Sequence, residues 1–366
     1  MATRSGADQA RRRAALEVLT TDVVGDPVAE QATWALVTML STGAAQPLQL
    51  DPLELEQARA FAERHRVTGL LSRLLPGESG GGVIALAGAI EIERRLLEAA
   101  ALLGRAGVAN LVLKGNATAH LDHRTPSDRE VGDIDLLVRA HDLDSAMAAL
   151  ESTGCTRAIT HPFSSPSFFH SETFVHPQGT EIDLHHRLSQ PSKAPVTCWD
   201  RPDTFSLGGV TLSALPRSWR FLHALVHQMM NPPPSTRAVN GLTDLVVMWT
   251  AGVDVAEVRA AAAEIKASHI AERGMARLAD LLGVARPAAP ARDSSGWAER
   301  RLAEALDSDR PTPGYLALAA NLAVQPIRRW PRYVGDLLWP SAAYREQQGT
   351  TPRSQLRHVV NEALGR

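Results

Sequence analysis

The sequence predicts an α+β fold, with a mixed α/β unit over residues 108–214 set between helical regions at 1–107 and 215–366. Three observations predict it. Residues 7–107 repeat Ala, Leu, Glu and Arg at helical spacing. The texture then changes to short apolar runs bounded by Gly, Pro and Asp. From Leu215 the helical spacing returns. At 366 residues the chain is long enough for two or three packed units.

The elements follow in order. Helices are expected near 7–21, 27–41, 52–75 and 86–107, broken at Gly25-Asp26-Pro27, Ala45-Gln46-Pro47 and Pro76 through Gly82. Asn110-Leu111-Val112-Leu113 reads as a buried strand that ends in a Lys114-Gly115 turn, with a helix from Ala117 to Leu121. Asp133 to Val138 reads as a second strand, followed by a helix over 141–153 and a strand over 156–160. Phe168 to His176 and Thr180 to Arg187 flank Pro177-Gln178-Gly179, the pattern of a hairpin. Helices are then expected at 216–230, 238–251, 254–267, 269–282 and 296–307. A linker or mobile loop falls at 286–295 and a Pro-rich tail starts at 311.

Composition excludes several classes. Hydrophobic residues make up 44% and charged residues 21%, and the formal net charge of −2 offers no bulk attraction to nucleic acid or an anionic membrane. Cys155 and Cys198 are too few for a disulfide framework or a four-cysteine zinc site and suit a reducing compartment. The N-terminal segment lacks the apolar run of a signal peptide, and no apolar stretch is long enough to span a bilayer, so a cytoplasmic location is expected.

Chemistry concentrates in the middle. Asp133 and Asp135 lie two apart on an apolar strand, so a side-chain period of two places both carboxylates on one face. Two like charges there repel and are costly to desolvate, unless a divalent cation sits between them. A lone pair of this kind also occurs in turns and surface salt bridges. Asp183, in Glu181-Ile182-Asp183-Leu184-His185, repeats the pattern. If its strand lies beside 133–138, three carboxylates converge, enough for a two-metal site. Upstream, strand, Gly turn and helix place backbone N–H groups where phosphate oxygens could bind. Lys114 could add a point charge there, or be an ordinary solvated lysine.

Other residues stay open between two roles. Arg129 could contact a triphosphate or pin the loop carrying Asp128. His185 could ligate metal, transfer a proton or be structural. Asp244 could meet a base or sugar, or hold a helix contact. Trp249, Trp330 and Trp339 are expected in the core. Eight of the thirteen histidines fall between His120 and His186, but no His-Glu-x-x-His spacing accompanies them, which argues against a zinc hydrolase.

Leu113-Lys114-Gly115, then Arg129 through Gly132-Asp133-Ile134-Asp135-Leu136-Leu137-Val138, then Ile182-Asp183-Leu184-His185 resemble the DNA polymerase β-like nucleotidyltransferase superfamily. They are closer to the bacterial group of uncharacterised nucleotidyltransferases within it. Looser similarity extends to Arg64-His65-Arg66-Val67 through Leu75, to Leu222-His223 and Leu242-Thr243-Asp244-Leu245, and to Leu338-Trp339-Pro340-Ser341 with Tyr344. The resemblance implies a polymerase β-like core, a small mixed sheet with helices, and magnesium-dependent transfer of a nucleoside monophosphate from an NTP. It implies Asp133, Asp135 and Asp183 as metal ligands and catalytic residues for two Mg²⁺ (or Mn²⁺) ions. Lys114, Gly115, Asn116, Arg129 and His185 would be the nucleotide contacts.

Two departures stand out: Gly115-Asn116 replaces the usual Gly-Gly or Gly-Ser pair, and His186 stands where the group often has Trp. The acceptor is expected to be a small molecule, a peptide or a protein rather than long nucleic acid. By resemblance alone, a role in tailoring a peptide natural product is expected. Two rivals accompany this reading: a non-catalytic nucleotide-binding module, and a toxin-like enzyme that modifies tRNA or protein.

Overall fold

A computed structural model describes residues 6–20, 22–75, 83–158, 161, 163, 165, 168–230, 238–290, 296–306 and 314–347, with 349, 351, 354 and 357 beyond them. The helices α1 (Gly6–Leu19), α2 (Pro27–Thr42), α3 (Pro52–Arg64), α4 (Thr68–Leu71) and α5 (Val83–Arg105) precede the sheet. The central part runs β1 (Asn110–Val112), α6 (Lys114–Leu121), β2 (Ile134–Val138), α7 (Leu143–Ser152), β3 (Thr156–Arg157), β4 (Ser171–Val175), β5 (Glu181–His185), β6 (Asp203–Leu207) and β7 (Val210–Ala214). Among the described residues further helices follow: α8 (Arg217–Met230), α9 (Val239–Thr250), α10 (Val255–Ile265), α11 (Ser268–Leu282), α12 (Trp297–Leu306), α13 (Gly314–Val324), α14 (Trp330–Leu338) and α15 (Ala342–Gln347).

Local chemistry explains the helix ends. Asp26 caps α2 by accepting from the Val28 and Ala29 N–H groups, with Pro27 in the first turn. Asp51 and Glu54 form a reciprocal capping box on α3. The helix expected over 52–75 is in fact two. Arg66 takes φ +53°, its N–H reaches the Glu63 carbonyl, and the Val67 N–H reaches back to Ala62, which closes α3. No glycine or proline marks that elbow, so the continuous apolar spacing conceals it.

The strands form one seven-stranded mixed sheet in the order β3-β4-β5-β2-β1-β7-β6. The sequence reading missed the β6–β7 hairpin. Its two-residue turn is Gly208-Gly209, both at positive φ, flanked by alternating residues. Helices α13, α14 and α15 lie within the Pro-rich tail, in keeping with a helical C-terminal region, but Trp330 and Trp339, expected in the core, are exposed. The break at Pro76–Gly82, the last two residues of the 156–160 strand and residues 291–295 of the linker lie outside the described residues.

Alternation divides the sheet into two faces. Ile134, Leu136, Phe174, Ile182 and Leu184 join Leu96 and Leu103 of α5 and Met147 of α7 in one core. Leu111, Leu113 and Leu137 join a second core, where α1–α4 pack with α8–α11. Helices from the two ends of the chain thus share a core, and they roof the face of the sheet that carries the polar residues.

Candidate active site

The site begins with a register. β2 and β5 are parallel neighbours, and Asp135 stands directly beside Asp183. Adjacent positions of one sheet face the same side, so the two carboxylates converge. Asp133 sits one residue before β2, partly exposed, while Asp135 is almost wholly buried. Across the β4–β5 pair, Thr173 opposes Asp183 and its hydroxyl donates to Asp183 Oδ1 at 2.6 Å. The threonine fixes that carboxylate, a role that the hairpin pattern could have revealed once the register was known.

Asp135 Oδ1 has two partners. Lys114 Nζ donates to it at 2.6 Å, and His185 Nε2 lies 2.9 Å away. His185 Nδ1 faces the Arg187 carbonyl at 3.3 Å, so both ring nitrogens meet oxygen acceptors. Burial pushes the Asp135 carboxyl up, but the Lys114 charge and the His185 contact outweigh it and hold the group well below the carboxylate range. Burial and the like charge of Asp135 push Asp133 up instead. Lys114 is driven down by burial and up by Asp135, with a raised pKa as the outcome.

The expected Gly turn is the first turn of α6, which starts at Lys114 rather than Ala117. Lys114 itself has φ +42°. Gly115 lets the chain pass under Arg129: a Cβ there would come within 3.4 Å of the guanidinium carbon. Asn116 is buried, and its side-chain amide donates to the Asp133 carbonyl at 2.9 Å, which ties the helix start to the strand start. Arg129 Nε contacts both oxygens of Asp244 at 3.0 Å, and His123 Nε2 lies 2.8 Å from the same carboxylate. Asp244 therefore anchors the loop before β2 to α9, and Arg129 still lines the cavity.

That cavity, of about 410 Å³, lies between the carboxylates and α8–α9. Arg64, Arg66, Lys114 and Arg129 supply positive charge, and Asp133 and Asp135 lie at its edge. His223 and His227 contribute from α8. Burial keeps nearby imidazoles neutral: His170 is pushed down to about 2, His186 to about 3 and His227 to about 4, with neighbouring positive charge adding to the effect. His223 falls well below the usual value for the same reason, and its Nε2 has no hydrogen-bond partner among the described residues.

Asp135, Asp183 and His185 each bring a ligand atom within 4.8 Å of the others, the one such group among the described residues. An oxygen-rich set of this kind suits a hard divalent cation, with Asp133 able to add another oxygen. Of the residues singled out from sequence, Asp133, Asp135, Asp183, Lys114 and His185 come together here. Gly115 and Arg129 form the adjoining wall, and Asn116 is turned inward. Arg66 and His223 had only loose family similarity to mark them and Thr173 only its place in the hairpin, because the part each plays depends on a neighbour that the tertiary structure brings to it.

The family model described as uncharacterised nucleotidyltransferase matches residues 52–283. That span runs from the start of α3 to the cap of α11 and contains every wall of the cavity. Among solved structures, an antigenic nucleotidyltransferase-like protein from Paracoccidioides brasiliensis is similar at 16% identity, over 52% of this chain and 88% of that one, with a TM-score of 0.34. No curated protein matches the chain. No described helix is long and apolar enough to cross a membrane.

Proposed function

Because the chain belongs to the family of uncharacterised nucleotidyltransferases, we propose that it moves a nucleoside monophosphate from an NTP to a hydroxyl-bearing acceptor and releases pyrophosphate. The observation that carries this reading is the register pair Asp135–Asp183, whose Asp135 lines, with Asp133, a cavity walled by cations. Asp133, Asp135 and Asp183 would hold two magnesium ions, with manganese an acceptable substitute. Such ions neutralise a triphosphate and acidify a bound hydroxyl.

The protein's own groups do the rest. Lys114 and Arg129 face the phosphates, and the Gly115 turn lets them approach the backbone. Thr173 keeps Asp183 aimed at the acceptor, whose proton passes to that carboxylate as its oxygen attacks the α-phosphorus. The bond from the α-phosphorus to the bridging oxygen breaks, and its electron pair leaves with pyrophosphate. Rate enhancement comes from positioning and charge compensation.

A small molecule, a peptide or a protein is the proposed acceptor, with the tailoring of a peptide natural product as the proposed setting. The near-zero net charge supports this over long nucleic acid. The test is magnesium-dependent NTP binding, followed by pyrophosphate release with candidate acceptors, with Asp133→Asn and Asp135→Asn as controls. Binding without release against every acceptor would identify a nucleotide-binding module instead. Growth arrest on expression that disappears in Asp135→Asn would point to a toxin acting on tRNA or protein.

A further inference from the structure

Arg66 occupies a position that its backbone does not favour. It follows α3 at φ +53°, in the left-handed region where glycine is the usual residue, and α2 and α11 end on Gly43 and Gly283 in that conformation. Glycine would close α3 with less strain, so the side chain is not there to make the turn. What it does is visible on the other side. The guanidinium lies over Gly132, where a Cβ would come within 2.7 Å of Nη1 and 2.8 Å of the central carbon. Its Nη1 lies 4.0 Å from Asp133 Oδ1, and half of the side chain remains exposed on the cavity wall.

The elbow is also fixed to the site. Glu130 accepts from the Thr68 N–H at 2.6 Å and the Gly69 N–H at 3.3 Å, so the loop before β2 caps α4. Arg73 pairs with buried Asp128 at 3.1 Å in the same loop. These contacts hold the α3–α4 elbow against the loop that delivers Asp133. A 4.0 Å approach to a part-exposed carboxylate leaves most of the guanidinium's donors available.

We propose that Arg66 is a phosphate-binding residue, one that reaches from the α3–α4 elbow to grip the polyphosphate of the nucleotide in the cavity that it lines with Lys114. This rests on the nucleotidyltransferase reading above and adds the residue that completes the cationic wall. A planar, five-donor fork suits phosphate oxygens, and two cations on one cavity wall would share the charge of the triphosphate alongside the carboxylates.

The experiment separates grip from scaffold. Arg66→Gly relieves the backbone, and Lys266→Gly does the same at φ +64° after α10, away from the cavity. Both variants should melt at or above the wild-type temperature. Binding of magnesium tripolyphosphate and magnesium ATP, measured by calorimetry, should weaken roughly ten- to a hundredfold in Arg66→Gly and stay unchanged in Lys266→Gly. Arg66→Lys should recover part of the loss. Unchanged affinity in Arg66→Gly overturns the proposal, as does a fall in melting temperature with affinity retained, which would mark a purely structural residue. A wild-type protein that binds neither ligand would instead defeat the nucleotidyltransferase reading itself.

Discussion

Replacing Lys114 by methionine keeps the length of the side chain and removes its charge. The ammonium donates to Asp135 Oδ1 at 2.6 Å, with 2% of the aspartate side chain and 23% of the lysine side chain exposed. Breaking a buried pair from one side typically costs about 3–5 kcal/mol, because the remaining charge is left in a poor solvent. Two facts reduce that figure. His185 Nε2 still lies 2.9 Å from the same oxygen, and the lysine is partly wet. A cost of about 2–3 kcal/mol follows, equivalent to a drop in melting temperature of roughly 3–4 °C for a chain of this length. Magnesium should then stabilise the variant more than the wild type, since no ammonium competes for Asp135. A ligand at a hundred times its dissociation constant contributes about 2.7 kcal/mol, enough to erase the deficit. Scanning calorimetry of both proteins with chelator and with magnesium reads this directly. Equal melting temperatures in chelator, or equal gains on adding magnesium, would refute the view that Lys114 serves as counter-ion to the carboxylates.

Three further outcomes are expected. Burial on the core side of β4 pushes the Glu172 carboxyl from 4.5 up to about 7, so the folded protein holds a proton that the unfolded chain has released. The neutral buried histidines raise stability with pH in both proteins, so the prediction is a difference: relative to Glu172→Gln, the wild type should lose stability as pH rises through that window; parallel profiles of the two proteins between pH 5 and pH 8 would contradict it. Asp244→Ala strips both Arg129 and His123 of their shared buried acceptor and should cost about 3–5 kcal/mol in urea unfolding, with a loss below about 1 kcal/mol arguing against the anchor. The chain has three lysines, and Lys193 and Lys266 are exposed, so amine acetylation followed by mass spectrometry reads each one. Lys114, paired and with its pKa raised mainly by Asp135 against the effect of burial, should label last, and labelling at the rate of the other two would contradict the ion pair.

Much of the site was legible in the chain because its geometry is local. A period of two placed Asp183 between apolar neighbours that face the core, and the Gly132-Asp133-Ile134-Asp135 run marked the start of a strand. Those rules act over a few residues, and the structure follows them. The β6–β7 hairpin was also written there, in Gly208-Gly209, and went unread among weaker turn signals. The break between α3 and α4 was not, because Arg66 adopts a glycine conformation without being glycine.

The sequence by itself determined the α+β character, the strand carrying Asp133 and Asp135, and the resemblance that led to the family. Only the tertiary structure decided which groups those carboxylates meet. That Asp135 takes Lys114 and His185, that Asp244 holds Arg129, and that Arg66 lies over Gly132 all depend on segments separated by between 21 and 115 residues. Pairing of that kind is set by how the helices of both chain ends close over the sheet, an outcome of shared burial that no short-range pattern encodes.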